Sequence, residues 1–280
     1  MQPLTNRNAM RQLTVDNANL IAERDALQQQ AKELHSSLEY AQQIQKALLP
    51  HYEQIRRHLP LSFTLYKPKE LVGGDFFWFH QINSSNFILV CADCTGHGIP
   101  GAFMTMIANS FLNQIVLEDG IHSLSHIVTE LDRLVRMTLK QNEHNSLQDG
   151  LDLSIIKVNK QTSTFEFCGA KHKAFFIKDG ALVELRGDRY GVGGVGNKQF
   201  TTTTYSYKEN DSLYLSTDGY PDQFGGALDK KYSTKQFVEL LLSMHKYEMD
   251  QQYKLLKTTH STWKGDQEQT DDITVIGMRF

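Results

Sequence analysis

The sequence predicts an α+β fold of stacked antiparallel sheets flanked by helices, preceded by an N-terminal helical stalk. Apolar residues recur every seven positions through residues 1–50, which is typical of a long helix. From residue 151 onwards they alternate with a period of two in short runs between turn residues, which indicates β-strands. Because helical patterns are inserted between these strands and also follow them, we expect sheets covered by helices.

The stalk has one apolar seam, formed by Leu13, Leu20, Leu27, Leu34, Ala41 and Leu48. A second seam is partly filled by Met10, Ala31 and Leu38, and it is interrupted by Asn17, Arg24 and Gln45. Imperfect heptads of this kind favour a coiled-coil-like parallel homodimer or a connector helix. The alternative is one amphipathic helix folded back on its own domain. Pro50 ends the pattern, so we predict a stalk over 1–50 and a second domain over 51–280.

A strand at 61–66 and a hairpin follow the stalk. The hairpin has strands at 76–82 and 87–92 around a polar loop at 83–86. A loop centred between residues 84 and 85 places Asp75 opposite Cys94 and diagonal to Asp93, with the two carboxylates about 5–8 Å apart. Carboxylates that close repel each other unless a proton or a cation lies between them. The alternative is that Asp75 only caps a turn.

Asp93 ends a buried strand and faces a loop that contains Gly96, Gly98 and Gly101. A carboxylate there suits a metal ion better than it suits a core. Three further strand ends carry the acids Asp75, Asp218 with Asp222, and Asp271 with Asp272. A single Asp-Gly pair is typical of a turn, but acids beside several apolar strands favour one shared site.

The remaining elements follow in order. A helix near Pro100 and a second over 124–135 have apolar stripes that predict burial. Strands are predicted near 151–158, 163–168, 174–178, 181–185, 200–207 and 211–217. Helices at 234–246 and 249–262 precede a last strand at 273–280.

Composition excludes several classes of function. A net charge of −3 over 280 residues has no nucleic-acid footprint. Three cysteines, an odd number, argue against a disulfide framework and for the cytoplasm. No apolar run approaches the ~18 residues that span a bilayer, so we expect no membrane contact within this chain. It is alternatively the cytoplasmic part of an inner-membrane receptor with an upstream sensor.

Three other motifs give weaker evidence of a function. The run 191–196 matches G-x-G-x-x-G but leads into β sequence, so dinucleotide binding is disfavoured. Cys91 and Cys94 have no second pair of ligands for zinc. The run 73–77 is similar to the G-G-D-E-F signature of diguanylate cyclases, which also use two metals, but its fourth position is phenylalanine. His97, between two glycines, is either a residue near the leaving group or uninvolved.

Four motifs in order resemble one family: G-G-D-F-F, A-D-C-T-G-H-G-I-P-G-A-F, L-S-T-D-G-Y-P-D and D-D-I-T-V. They are similar to the metal-binding motifs of SpoIIE/RsbU-type phosphatases, the bacterial branch of the metal-dependent protein phosphatase 2C (PPM) superfamily. The resemblance covers 38–280. It implies a four-layer α-β-β-α sandwich with metals in a cleft at one edge. It also implies that the two helices after the hairpin act as a switch element.

The resemblance further implies two Mn²⁺ or Mg²⁺ ions. Asp93 would bridge both, the carbonyl of Cys94 would ligate one, and Asp75 would act through water. Asp218 would hold the first ion together with Asp271, or with Asp272 in its place. In this interpretation Asp93 and Asp218 are the catalytic residues.

Asp222 would serve a third, weaker ion. The residue that grips phosphate is left open among Lys171, His172 and Lys173, because their segment differs from the A-G-H-P run typical of bacterial members. The implied activity is hydrolysis of phosphoserine or phosphothreonine, through a metal-bridged hydroxide, on a small STAS (anti-sigma-factor-antagonist-like) partner protein. The alternative is a catalytically silent signalling module that binds its partner through the stalk and switch helices.

Overall fold

The computed structural model describes residues 3–141 and 148–280, and the side chains of 3–11 and of residue 15 lie outside this description. Met10, part of the second seam of the stalk, is therefore not described at the side-chain level. The helices are α1 (Pro3–Leu48), α2 (Tyr52–His58), α3 (Gly98–Asn113), α4 (Leu124–Thr138), α5 (Gly219–Asp222), α6 (Thr234–Met244) and α7 (Met249–Lys264). A π-helical turn, Gln114–Glu118, follows α3 directly.

The strands are β1 (Ser62–Lys67), β2 (Asp75–Gln81), β3 (Asn86–Cys94), β4 (Gly150–Asn159), β5 (Thr164–Ala170), β6 (Lys173–Lys178), β7 (Ala181–Arg186), β8 (Val192–Gly193), β9 (Thr203–Ser206), β10 (Ser212–Ser216), β11 (Phe224–Gly225), β12 (Lys230–Lys231) and β13 (Ile273–Arg279). Every strand that the sequence predicts is present. The two-residue strands β8, β11 and β12 were not predicted, because two residues are too few to show a period.

Two antiparallel sheets form the centre of the fold. One has the order β1-β13-β10-β6-β7, and the other has the order β2-β3-β4-β5-β9 with β8 paired to β4. Helices α3 and α4 pack on the second sheet, apolar side chains fill the space between the sheets, and α6 and α7 pack on the first sheet. The predicted four-layer α-β-β-α sandwich is thereby confirmed.

The continuous apolar run of β3 follows from this layering. Ile88, Val90 and Ala92 pack towards α3 and α4, while Leu89 and Cys91 pack between the sheets. Because both faces of the strand are covered, its residues are apolar throughout instead of alternating with polar ones. The next residue along, Asp93, is where this apolar run stops.

The hairpin register differs from the predicted one by a single residue. Asp75 lies opposite Asp93, not opposite Cys94. Ile82 N donates to Asn86 O at 2.9 Å, so the loop is centred on residue 84. The cause is Asn83, whose Oδ1 accepts hydrogen bonds from the backbone N–H groups of Ser85 at 3.0 Å and Asn86 at 2.9 Å. This side-chain turn, an Asx-type motif, tightens the loop.

The chain forms two compact units, Met1–Ile44 and Gln45–Phe280. In the first unit, the described leucines of the predicted seam are 58–63% exposed, namely Leu13, Leu20, Leu27 and Leu34. Among the described residues, no helix has both the length and the apolar character needed to cross a bilayer.

Candidate metal centre

Three carboxylates lie side by side across the second sheet. Asp75 on β2 is opposite Asp93 on β3, which is in turn opposite Asp152 on β4. All three belong to the alternating set of side chains that faces the other sheet, because Phe77, Cys91 and Ile156 of the same set pack between the sheets. Asp152 was missed at the sequence level. The sequence feature that could have identified Asp152 is an acid at a position of β4 whose side chain faces the other sheet.

Asp75 is buried, with 1% of its surface exposed. Its Oδ2 accepts hydrogen bonds from the hydroxyls of Thr217 at 2.7 Å and Thr274 at 2.8 Å. Burial and then the charge of Asp93 raise the pKa of Asp75 well above its usual range, against the opposing effect of the two hydroxyls. Side chains of the first sheet and of the residue that follows β10 thus hold a carboxylate that belongs to the second sheet.

Burial and the neighbouring like charges both disfavour ionisation of the acids in this site. Burial, followed by repulsion from Asp218 and Asp271, raises the pKa of Asp93 to about 8. The pKa of Asp218 is also raised, first by desolvation and then by Asp222 and Asp271. Carboxylates that disfavour one another's ionisation are stabilised by a cation placed among them.

Two adjoining cavities open on this cluster. The smaller, of about 290 Å³, lies against the loop that follows β3 and is lined by Asp93, Cys94, Asp218 and Asp271 among others. The larger, of about 450 Å³, shares Asp93 and Asp218 and extends to Asp222. Asp222 is the outermost of the predicted acids, and its Oδ2 pairs with Lys231 Nζ at 2.7 Å. Four predicted residues thus line one cavity, and Asp222 lines its neighbour.

The adjacent acids Asp271 and Asp272 have different surroundings. Asp272 is 3% exposed, and its carboxylate accepts backbone N–H bonds from Lys69 at 2.7 Å and Gly74 at 2.6 Å. Those bonds hold the segment that leads into β2. Asp271 instead lines the smaller cavity. The geometry therefore favours Asp271 over Asp272 as the acid that faces a metal.

Glycines bring the loop after β3 against the start of β2. A Cβ on Gly74 would lie 2.5 Å from the carbonyl oxygen of Gly96, and a Cβ on Gly101 would overlap the same oxygen. Only glycine permits this approach of three backbones. Gly74, Gly96 and Gly101 therefore allow the segment before Asp75 and the loop after Asp93 to lie in contact.

The last turn of α1 also contacts this region. Gln45 Nε2 donates to Gly73 O at 2.7 Å, and Gly73 N donates to Gln45 Oε1 at 3.2 Å. From α3, the hydroxyl of Thr105 donates to Gly74 O at 3.0 Å. In the sequence, Gln45 was only an interruption of the apolar seam. Its structural role is to bond the loop that precedes Asp75.

Cys91 and Cys94 do not supply thiolates. Both are buried and free, and burial raises the pKa of each thiol well above its usual range. His97 Nδ1 lies 2.8 Å from Glu70 Oε1 at the exposed edge of the smaller cavity. Because both thiols are buried and protonated, they are not suited to act as nucleophiles.

The donor set fits hard divalent cations. Carboxylate and carbonyl oxygens are the ligands that Mg²⁺ and Mn²⁺ prefer. In the described part of the chain, no three acidic, histidine or cysteine side chains come close enough to hold an ion by themselves. Ions here would therefore also need the backbone carbonyl of Cys94 and water, and Mg²⁺ usually keeps several waters in protein sites.

Comparison with known proteins agrees with this geometry. The family model "Stage II sporulation protein E (SpoIIE)" matches residues 83–280. Phosphoserine phosphatase RsbP of Bacillus subtilis (strain 168) is 24% identical over 190 residues, which are 66% of this chain and 45% of RsbP. The chain thus spans less than half the length of that relative.

Two solved structures extend the comparison. The SiaA-PP2C domain of Pseudomonas aeruginosa is 30% identical, with a TM-score of 0.82 over 89% of this chain and 98% of that domain. The catalytic domain of the serine/threonine protein phosphatase PstP, in complex with two manganese ions, has a TM-score of 0.55 at 14% identity, over 78% of this chain and 96% of that one. This fold excludes the diguanylate cyclase interpretation. The family match over more than half of the chain and the likeness to the SiaA domain show that this chain belongs to the SpoIIE family and has the PP2C (PPM) phosphatase fold.

Proposed function

We propose that this chain is a metal-dependent protein-serine/threonine phosphatase. One observation carries the proposal: four predicted residues from three separate motifs, Asp93, Cys94, Asp218 and Asp271, line one cavity. The fold around that cavity is shared with the SiaA-PP2C domain. A catalytically silent module would have no chemical requirement for a cluster of carboxylates whose mutual repulsion raises their pKa values.

The metal assignment rests on the family resemblance, and the lining of the smaller cavity supports it. Asp93 would bridge both ions, the carbonyl of Cys94 would ligate one of them, Asp218 and Asp271 would hold the first, and Asp75 would act on the second through water. Asp222 would serve a third, weaker site. PstP holds two manganese ions in the same fold. When bound, such a pair supplies an activated hydroxide and neutralises charge on the phosphoryl group.

The remaining residues of the centre position these ligands. Thr217 and Thr274 fix the carboxylate of Asp75 by their hydroxyls. Asp272 holds the loop before β2 by two backbone N–H groups, so its role is structural support of the metal centre. Gln45 and Thr105 bond the same loop, which makes α1 and α3 the route by which a signal would reach the metal centre.

We infer that the substrate is a phosphoserine or phosphothreonine on a small STAS-domain protein. The resemblance to SpoIIE/RsbU-type phosphatases and the name of the relative RsbP, a phosphoserine phosphatase, support this substrate class. The reducing cytoplasm suits the three free cysteines in the described residues.

Hydrolysis is tested with p-nitrophenyl phosphate and with a phosphoserine-bearing STAS-domain protein, each with and without Mn²⁺. We expect both to release phosphate with Mn²⁺ and neither to do so after chelation by EDTA. Absence of turnover of either compound with any divalent ion would leave only the silent module. Turnover of the ester but not of the phosphoprotein would keep the enzyme and reject the substrate class.

We further propose that residues 1–50 form a stalk that dimerises, with the phosphatase domain over 51–280. The exposed leucines Leu13, Leu20, Leu27 and Leu34 support this, because a seam of that kind is stabilised by a second helix. Deleting residues 1–37 should convert a dimer into a monomer, as measured by light scattering. An unchanged mass would contradict the dimer, and the leucine-to-alanine variant of the seam serves as the full-length control.

A further inference from the structure

The larger cavity is lined by both acidic and basic side chains. The acids are Asp93, Asp152, Asp188, Asp218 and Asp222, and the basic residues are Lys171, Lys173, Arg186 and Arg189. The basic residues come from the β5–β6 connection, the start of β6 and the end of β7 with the loop behind it. A ligand in the cavity would therefore meet both cation-binding oxygens and positive charge.

Lys171 is the basic residue of this lining that pairs with an acid of the carboxylate row. Its Nζ lies 3.0 Å from Asp152 Oδ2, and Asp152 is directly opposite Asp93 across β3 and β4. The hydrogen bond and charge of Asp152, followed by the charges of Asp218 and Asp93, raise the pKa of Lys171. The ammonium group is thus positively charged beside the carboxylate row, and its side chain is 63% exposed to the cavity.

The other two basic candidates on this segment are engaged differently. Burial, followed by the charges of Lys173 and Lys171, lowers the pKa of His172 to about 4, so its imidazole is neutral at pH 7. Its Nδ1 lies 3.2 Å from the hydroxyl of Ser154. Lys173 Nζ lies 3.7 Å from Glu184 Oε1 and 5.6 Å from the ring centroid of Phe175. Lys171 differs from both, because it carries a positive charge and because its partner, Asp152, belongs to the carboxylate row.

The backbone at Lys171 is unusual and firmly held. Its φ is +54°, in the left-handed region that favours glycine. Lys171 N donates to Asp188 O at 2.7 Å, and a parallel bridge pairs Lys171 with Leu153. These backbone contacts fix where the side chain of Lys171 begins, next to Asp152 and the cavity.

We propose that Lys171 is the phosphate-binding residue of this site, and that its ammonium group binds the phosphoryl oxygens of the phosphoserine substrate. The inference rests on the proposed phosphatase function and identifies a residue for it. Asp152 holds the ammonium group of Lys171 at the edge of the carboxylate row. Because the lysine side chain is long and flexible, this ammonium group can reach a phosphoryl group that lies beside Asp93. Lysine binds phosphate as a compact charge and tolerates some freedom of position.

Two substitutions test the proposal. Lys171→Gly removes the charge and suits the left-handed backbone, whereas Lys171→Arg keeps the charge. Lys208→Met is the matched control, because it removes a lysine that is likewise paired with an aspartate, Asp179, but lines neither of the two cavities. The measurements are KM and kcat for p-nitrophenyl phosphate, calorimetric binding of inorganic phosphate to the Mg²⁺-loaded proteins, and Mg²⁺ binding alone.

For Lys171→Gly we expect KM to rise and phosphate affinity to fall, each by about tenfold or more, which is the effect of losing a hydrogen bond to a charged group. Mg²⁺ binding and the melting temperature should not weaken, and Lys171→Arg should retain most of the phosphate affinity. Lys208→Met should change KM by less than about twofold, because it removes only an exposed ion pair.

The outcomes distinguish the proposed role of Lys171 from the proposed phosphatase function. If the wild-type protein hydrolyses the ester and Lys171→Gly leaves KM and phosphate affinity unchanged, the role of Lys171 is wrong and the phosphatase stands. If Lys171→Gly weakens Mg²⁺ binding as much as phosphate binding, Lys171 supports the metal centre and does not bind phosphate. If the wild-type protein neither hydrolyses the ester nor binds phosphate, both are wrong.

Discussion

The Asp93→Asn variant should have a kcat for p-nitrophenyl phosphate at least about 100-fold below that of the wild-type protein, because it removes a carboxylate from a centre that acts through bound cations. Asp93 lies between Asp75 and Asp152 in the row of acids and lines both cavities. Asparagine has nearly the same shape but no negative charge, so the fold should be retained.

The matched control is Asp179→Asn. Asp179 is 60% exposed and pairs with Lys208 at 3.0 Å, and it lines a different cavity. It should keep wild-type kcat, and its calorimetric Mn²⁺ affinity should be unchanged, while Asp93→Asn should lose Mn²⁺ binding. Full activity of Asp93→Asn with Mn²⁺ would contradict the assignment of this acid, whatever its effect on stability.

The second large effect is a loss of stability of the metal-free protein as the pH rises. The folded chain keeps a proton on Asp93 up to about pH 8, whereas an unfolded aspartate loses its proton near pH 4. Between these values the folded state binds more protons, so the free energy of unfolding falls with pH, by at most about 1.4 kcal/mol per pH unit for one carboxyl group. Burial and like charges raise the pKa of Asp75 and Asp218 in the same direction.

The melting temperature of the EDTA-treated protein should therefore fall from pH 5.5 to pH 8. Mn²⁺ should raise it most at the upper end of this range, because cations bind the ionised carboxylates and so compete with protons. In Asp93→Asn the fall with pH should be smaller, since one raised pKa is gone. A melting temperature that rises with pH, or that Mn²⁺ leaves unchanged at pH 8, would show that the carboxylates do not act as a repelling cluster.

The layers and the order of elements were predictable from the sequence because hydrophobic periodicity is a local property. Strand β3 is apolar on both faces, and apolar and polar residues alternate in the strands after residue 151. Both patterns can be read without knowing the rest of the chain. The acids at the strand ends were also predictable, because each follows or precedes an apolar strand, whereas Asp152, which lies within β4, was missed. Asp93, Asp218 and Asp271 do line one cavity.

The choices within each motif were not predictable, because they depend on partners that are distant in sequence. The carboxylate of Asp272 accepts a hydrogen bond from Gly74 N, which lies 198 residues earlier in the chain. The register of Asp75 was set by the side chain of Asn83, which no count of loop residues includes.

The longer strands and the acids at their ends follow from the sequence alone, because hydrophobic periodicity is a local property. That Asp152 lies opposite Asp93 and that Lys171 pairs with Asp152 became known from the paired sheets. The physical reason is that charge and hydrogen bonding act over a few ångströms of space, and which residues share that space is known only once the sheets have paired.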